Sequence, residues 1–397
     1  MHPERADRPG PKSIRHEGRH GLSPAITHDE LAWFDFIMAS YFFVAQAVYP
    51  GNKLTYERRV EPAAIRAIGR KPRDRREVRQ LMHREPYWQM WSSLKRNNQE
   101  MSYMIRGGIV AREYADVARR AKTNASTGGT LRLDPNLAVP RYITAVDIHC
   151  QPGGYNHDGE PGGVWAGAMY DTGSLFLATG GELGVWNDGA GWAMVAHLKQ
   201  RFPRLRPRRI LDLGCTVGHS TLPLKQAWPE AEVFAIDACA PVLRFGHARA
   251  ESLGVPVHFS QQNAEATNFP AGHFDLVTSA MFLHEVPQGA MARVARETHR
   301  VLAPGGVMIH AEQPQYHGQG PFDQFIREWD TFYNSEPFRC PFRDMDLMRL
   351  ATDAGFSSKH VFRDMAAGAM KTATGLERRG DGFWFMFGAT KDAQRPS

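Results

Sequence analysis

The stretch Arg209-Ile-Leu-Asp-Leu-Gly-Cys-Thr-Val-Gly-His219 constrains the fold of this chain more than any other. Arg208 to Leu213 has the length and apolar content of a short buried strand, with Asp212 near its end and Gly214 and Gly218 in the turn beyond. Ser220 to Trp228 then begins a helix. A strand, a glycine turn and a helix N-terminus form a cradle for a nucleotide-like ligand, because glycine lets the backbone approach it without an intervening Cβ. One such turn is common among α/β proteins. A second buried run, Val233 to Asp237, ends in an acid 25 residues after Asp212. A carboxylate at that strand tip suits the two hydroxyls of a ribose.

The alternation continues on both sides. Helices are expected at about 187–201, 219–228, 240–253 and 287–302, with strands at 255–260, 274–279 and 307–311. Pro321 to Asn334 and Arg343 to Ala354 read as helices, and Lys359 to Asp364 and Gly382 to Thr390 as the last strands. Strands and helices alternating at these lengths give a parallel sheet covered on both faces.

Leu211-Asp-Leu-Gly-Cys-Thr-Val-Gly218, Ala235-Ile-Asp237, Asn263-Ala-Glu265, Phe274-Asp-Leu-Val277, Phe282-Leu-His-Glu-Val286 and Leu302-Ala-Pro-Gly-Gly306 follow in the order and spacing of a known family. Over about residues 186–391 the chain resembles the class I S-adenosylmethionine-dependent methyltransferases. The resemblance implies an α/β, Rossmann-like doubly wound sheet with an antiparallel last strand. It implies S-adenosylmethionine as cofactor, lying against Asp212, Gly214, Cys215, Thr216 and Gly218. Asp237 would take the ribose hydroxyls and Ala238 the adenine face, with Asn263, Ala264, Glu265 and Ala280 completing the site. Thr216 stands where the family usually has a third glycine, and Asn263 where it usually has an acid. His284 matches the position where several O-methyltransferases have a catalytic histidine, and Glu285 is the candidate to hold its ring.

The N-terminal half reads differently. Residues 1–24 are rich in Pro, Arg, His and Gly and are expected to form a disordered tail, with no secretory signal. A helix is expected from His28 to about Val48, opened by a Thr27/Glu30 capping box and ended by Pro50-Gly51. Its apolar run, Leu31 to Tyr49, contains Asp35 and Gln46, and a mid-membrane carboxylate costs roughly 3 kcal/mol. The expectation is therefore a buried core helix and no membrane partner. Further helices are expected at about 60–69, 73–83, 86–105 and 108–122, then a linker at 124–130 and strands at 130–133 and 141–149. The expected domains are a helical region (25–127), a strand and loop lid (128–185) and the catalytic domain (186–397).

Charge enters the argument here. The formal net charge is +6, and residues 53–122 hold about 18 Lys/Arg against about 8 Asp/Glu. Such a segment either attracts nucleic acid or an anionic ligand, or forms a solvated helical face. The missing Asn-Pro-Pro-Tyr-type signature after the fourth strand, where Ser279-Ala-Met-Phe282 stands, argues against nucleic acid. Four scattered cysteines fit a reducing cytoplasm, and His149, Cys150, His157 and Asp158 match no standard metal spacing.

Aromatic side chains that close over a reacting centre exclude water. Tyr155, Trp165 and Tyr170 in the lid, and Tyr316, Trp329 and Tyr333 after the fifth strand, are the candidate substrate residues. The reading is a cytoplasmic methyltransferase acting on a small molecule, with a helical extension that builds a lid or a homodimer contact. The alternatives are an RNA methyltransferase, resting on the basic segment, and a non-catalytic S-adenosylmethionine-binding regulator, resting on Thr216.

Overall fold

The computed structural model describes residues 19–122, 127–177, 186–372 and 375–393. Most of the expected tail, part of the 124–130 linker and part of the lid lie outside these residues.

Eight strands form one sheet: β1 (Thr130–Arg132), β2 (Arg209–Leu213), β3 (Glu232–Asp237), β4 (His258–Gln261), β5 (Phe274–Ala280), β6 (Leu302–Glu312), β7 (Val361–Thr372) and β8 (Gly375–Thr390). Their order is β1-β4-β3-β2-β5-β6-β8-β7. β1 to β6 pair in parallel, and β8 runs antiparallel between β6 and β7. The central strand β2 is covered on both faces, so Ile210, Leu211 and Leu213 are all buried. Helices Gly189–Arg201 and Thr221–Ala227 seal one face, and Gln288–Val301 and Leu347–Asp353 the other. From β2 the chain steps outward through β3 and β4, then returns to the other side at β5. This reversal opens a crevice beyond the carboxyl ends of β2 and β5, where open α/β sheets bind ligands.

Several expected boundaries are corrected. The 141–149 strand is instead a helical turn, Arg141–Thr144, and a 3₁₀ turn, Ile148–Cys150. His149 and Cys150 there have φ of +57° and +60°, which no strand accommodates. The helices expected at 86–105 and 108–122 are one, Pro86–Ala121. Gly107 and Gly108 each cost it about 1 kcal/mol of propensity. Burial of Tyr103, Val110 and Val117 against Val217, Val242 and Phe245 of the sheet half outweighs that cost.

The first helix does not end at Pro50-Gly51. It runs from His28 to Ile68, opened by the expected capping box: Thr27 Oγ1 accepts from the Glu30 N–H, and Glu30 accepts from the Thr27 N–H. A π-turn, Val44–Val48, precedes Pro50, so the missing proline N–H falls where the hydrogen-bond register already shifts. Gly51 is needed there, because a Cβ would lie 2.0 Å from the Tyr87 hydroxyl. That hydroxyl donates to the Val48 carbonyl at 2.8 Å.

This helix is also less buried than its composition leads one to expect. Among the described residues it alone is long and apolar enough to cross a membrane, yet only 28% of its most apolar window is buried. Phe34, Ile37 and Met38 pack inward on Ile109, and Val44 and Val48 join a core with Phe322, Phe325 and Trp329. The N-terminal helices and the segment after β6 thus share one core, tied further by Arg75 and Arg79 on Glu328.

Candidate functional site

A cavity of about 760 Å³ opens at the switch point and extends under the N-terminal helices. Its walls divide into a half built by strand ends and a half built by insertions.

In the first half, Gly214 (φ +64°) turns the chain out of β2, and a Cβ there would lie 2.4 Å from the Phe282 ring. The Thr216 N–H donates to Asp237 Oδ2 at 3.1 Å, and the Cys239 N–H to Oδ1 at 2.9 Å. Each oxygen keeps acceptor capacity toward the cavity. Burial raises the Asp237 pKa, against the pull of these N–H groups. Cys215, Ala238, Asn263, Ala264 and Ala280 line the same half. Three expected residues do other work. Asp212 touches the cavity, but its oxygens accept from Thr221 Oγ1 (2.5 Å) and Thr278 Oγ1 (2.8 Å), pinning β2 to its neighbours. Burial lifts its carboxyl to about 6. Gly218 packs on Leu222 and Phe259, away from the lining. Glu265 is also outside it, held by Tyr142 and Arg293.

Thr216 occupies the left-handed region at φ +47°. A β-branched residue there costs of the order of 1–3 kcal/mol, and glycine's extra unfolded freedom gives back part of it. Thr216→Gly should therefore raise stability by about 1 kcal/mol without weakening cofactor binding. Denaturant melts with and without S-adenosylmethionine check this, and a destabilised variant would refute the strain argument.

The second half centres on His284. Glu312, at the carboxyl end of β6, is fully buried and approaches His284 Nδ1 to 2.5 Å. Its other oxygen accepts from the N–H groups of Phe282 and Leu283, at 3.0 and 2.7 Å. Burial opposes the charge on Glu312, but His284 and the backbone donor hold its pKa below the usual value. Glu312 as acceptor makes Nδ1 the donor, so in the neutral ring Nε2 is the nitrogen without a proton. Nε2 is buried and has no hydrogen-bond partner among the described residues. Glu285, expected to hold this ring, does not: its Oε1 is 3.8 Å from Nε2. Glu312 orients the imidazole instead. The signal that could have found it is its place, one residue past the Ala280/Ala311 pairing at the strand ends.

Glu285 instead reaches His149 Nε2 at 3.2 Å, while Glu336 reaches Nδ1 at 3.2 Å. Arg339 and Asn334 hold Glu336 in turn. Arg339 also pairs with Asp330, which takes Lys95 at 3.0 Å. Burial opposes a charge on His149, yet Glu336 and Glu285 keep its pKa well above the ordinary value. Donor atoms of His149, Glu285 and Glu336 lie within 4.8 Å of one another. The two carboxylates address different ring nitrogens, which is the geometry of an imidazolium bridge and not of donors converging on one cation.

A raised histidine pKa stabilises the fold fully below the unfolded value of about 6.5, and this is lost as pH rises through the folded value. Stability should therefore decline on the alkaline side, and His149→Gln should flatten that limb. Denaturant midpoints across pH check it; identical slopes would refute the bridge.

Of the expected substrate residues, Tyr155, Tyr170 and Trp329 line the cavity. Trp165 packs on Tyr114 and His157, and Tyr316 turns its hydroxyl to Cys340 Sγ. Tyr333 stacks in the Trp88 and Trp329 cluster. Asp158 pairs with Arg244. The long helix Pro86–Ala121 supplies Lys95, Tyr103 and Arg106 to the wall, which the sequence reading missed.

Comparison with known proteins agrees with this layout. A family model described as a methyltransferase domain matches residues 210–306. A demethylmenaquinone methyltransferase of Thermus thermophilus is 39% identical over 108 residues, 27% of this chain and 48% of that protein. The ubiquinone/menaquinone biosynthesis C-methyltransferase UbiE of Methylobacterium nodulans is 33% identical over 138 residues, 34% of this chain and 52% of that protein. The chain thus spans about half the length of these curated relatives. Among solved structures, a methyltransferase of Methanosarcina mazei is similar at TM-score 0.35 and 22% identity, covering 48% of this chain and 95% of that one. With glycine turn, strand-end acid and family match falling on the same strands, residues 210–306 form a methyltransferase domain.

Proposed function

We propose that the protein methylates a small molecule bearing an ionisable ring hydroxyl, at that oxygen or at a ring carbon made nucleophilic by its loss of a proton. The observation that carries this reading is the bare Nε2 of His284, oriented by Glu312 beside the strand ends. The donor set of the first half suits the cofactor, with a buried carboxylate, Asp237, and small residues, Ala238, Ala264 and Ala280, lining it. S-adenosylmethionine supplies an electrophilic methyl group on a sulfonium. Asp237 would hold its ribose, and the Gly214–Thr216 backbone its amino-acid end.

His284 Nε2 then takes the hydroxyl proton, and Glu312 stabilises the imidazolium that results. The freed electron pair would accept the methyl group that the cofactor supplies; transfer to a ring carbon would also release that carbon's proton to solvent as the ring oxygen is reprotonated by the His284 imidazolium. Tyr155, Tyr170 and Trp329 exclude water around the ring. The relatives named as a demethylmenaquinone methyltransferase and as a ubiquinone/menaquinone biosynthesis C-methyltransferase support a ring acceptor. Much of the basic segment is spent internally, with Arg70 on Glu77, Arg75 on Glu328 and Asp344, and Lys95 on Asp330, which supports a small acceptor over RNA.

The test is incubation with labelled cofactor and a panel of hydroquinones, catechols and simple phenols, alongside amines and thiols. Label should pass to the hydroxylated rings. Transfer confined to amines or thiols would overturn the reading.

A further inference from the structure

The outer face of helix His28–Ile68 is the largest feature that the site does not use. Trp33, Phe36 and Phe43 are 54%, 57% and 61% exposed, and Tyr49 and Leu54 are also exposed. Phe36, Phe43 and Leu54 recur at helical spacing with the exposed Ala39 and Ala47, so they form one stripe. Scattered surface apolar residues are ordinary, but a continuous aromatic stripe on one helix marks a contact surface. The same face then changes character. Arg58, Arg59 and Arg66 continue it, all exposed, and Arg58 and Arg66 have no ion-pair partner among the described residues.

We propose that this face docks on a membrane surface containing anionic lipid, with Trp33, Phe36 and Phe43 among the acyl chains and the arginines on the headgroups. Three observations select this occupant. First, the charge is complementary: aromatic residues followed by arginine on one helix face are the composition of an interfacial helix. Second, a two-fold pairing of two copies fits poorly. An antiparallel pair would bury the arginines against phenyl rings, and a parallel pair would set arginine against arginine. Third, a transmembrane arrangement would strip Phe34, Ile37, Met38, Val44 and Val48 from their cores.

The position of the stripe matters to the site. Tyr41, on the same helix, lines the cavity and is 40% exposed, so the cavity wall and the docking face meet on one element. An acceptor with an apolar tail could then be taken up directly from the lipid. This last consequence rests on the proposed methyl transfer, whereas the docking itself does not.

The experiment is co-sedimentation of the full chain with vesicles of phosphatidylcholine alone or mixed with phosphatidylglycerol. Binding to the mixed vesicles is expected, weakening with salt and falling about fivefold for each of Arg58 and Arg66 changed to Gln. The Trp33→Ser, Phe36→Ser, Phe43→Ser triple variant should lose binding, while calorimetry shows unchanged cofactor affinity and so an intact fold. Failure to bind either vesicle would overturn the proposal. So would a dimer in light scattering that the triple variant dissolves without any vesicle binding, or retention in vesicles after a carbonate wash. Since no methyl transfer is read, a wrong acceptor assignment leaves this result untouched.

Discussion

Replacing His284 with alanine should lower the methyl-transfer rate by about 10²–10⁴-fold, the usual cost of losing a positioned base. Cofactor affinity should hardly move, since the ring faces the acceptor half of the cavity. Glu312→Gln gives an independent readout. It keeps the size of the side chain but removes the charge that fixes the tautomer and stabilises the imidazolium. It should lower the maximal rate while leaving cofactor binding intact. Single-turnover rates of the three proteins, beside their calorimetric cofactor affinities, decide the matter. Equal rates for wild type and His284→Ala would make the histidine structural and point to an acceptor that arrives already ionised.

Asp237→Ala should weaken S-adenosylmethionine about ten- to a hundred-fold. Charge-assisted hydrogen bonds of this kind contribute roughly 1.5–3 kcal/mol. Two backbone donors, the N–H groups of Thr216 and Cys239, also converge on this carboxylate. Its loss frees the glycine turn as well as the ribose contact, so Asp237→Asn should fall between wild type and alanine. Calorimetric titration with the cofactor measures all three, and unchanged affinity in Asp237→Ala would place the nucleotide elsewhere.

The central strands of residues 186–391 were legible because a parallel sheet buried on both faces demands continuous apolar runs at fixed spacing, whereas the antiparallel last pair, expected at 359–364 and 382–390, runs longer as Val361–Thr372 and Gly375–Thr390. Arg209–Leu213, Glu232–Asp237 and Phe274–Ala280 stand within a residue or two of their expected positions. The same periodic logic failed at Pro50-Gly51 and at Gly107-Gly108. There a π-turn, the Tyr87 hydroxyl and a shared core override local propensity.

The sequence by itself determined the central strands β2, β3 and β5, the glycine turn, Asp237 at its strand tip and His284 after the fourth strand, but not that β1 joins the same sheet beside β4. These follow from local pattern and short spacing. Only the tertiary structure decided that Glu312 and not Glu285 orients His284, because the 28 positions that separate His284 and Glu312 are closed by strand pairing. It alone joined His149 to Glu285 and Glu336 across 136 and 187 positions of chain. It also turned Trp165, Tyr316 and Tyr333 from the cavity, and set the aromatic stripe of the first helix outward. Which side chains a helix buries depends on what packs against it, and contacts so distant in sequence leave no local trace.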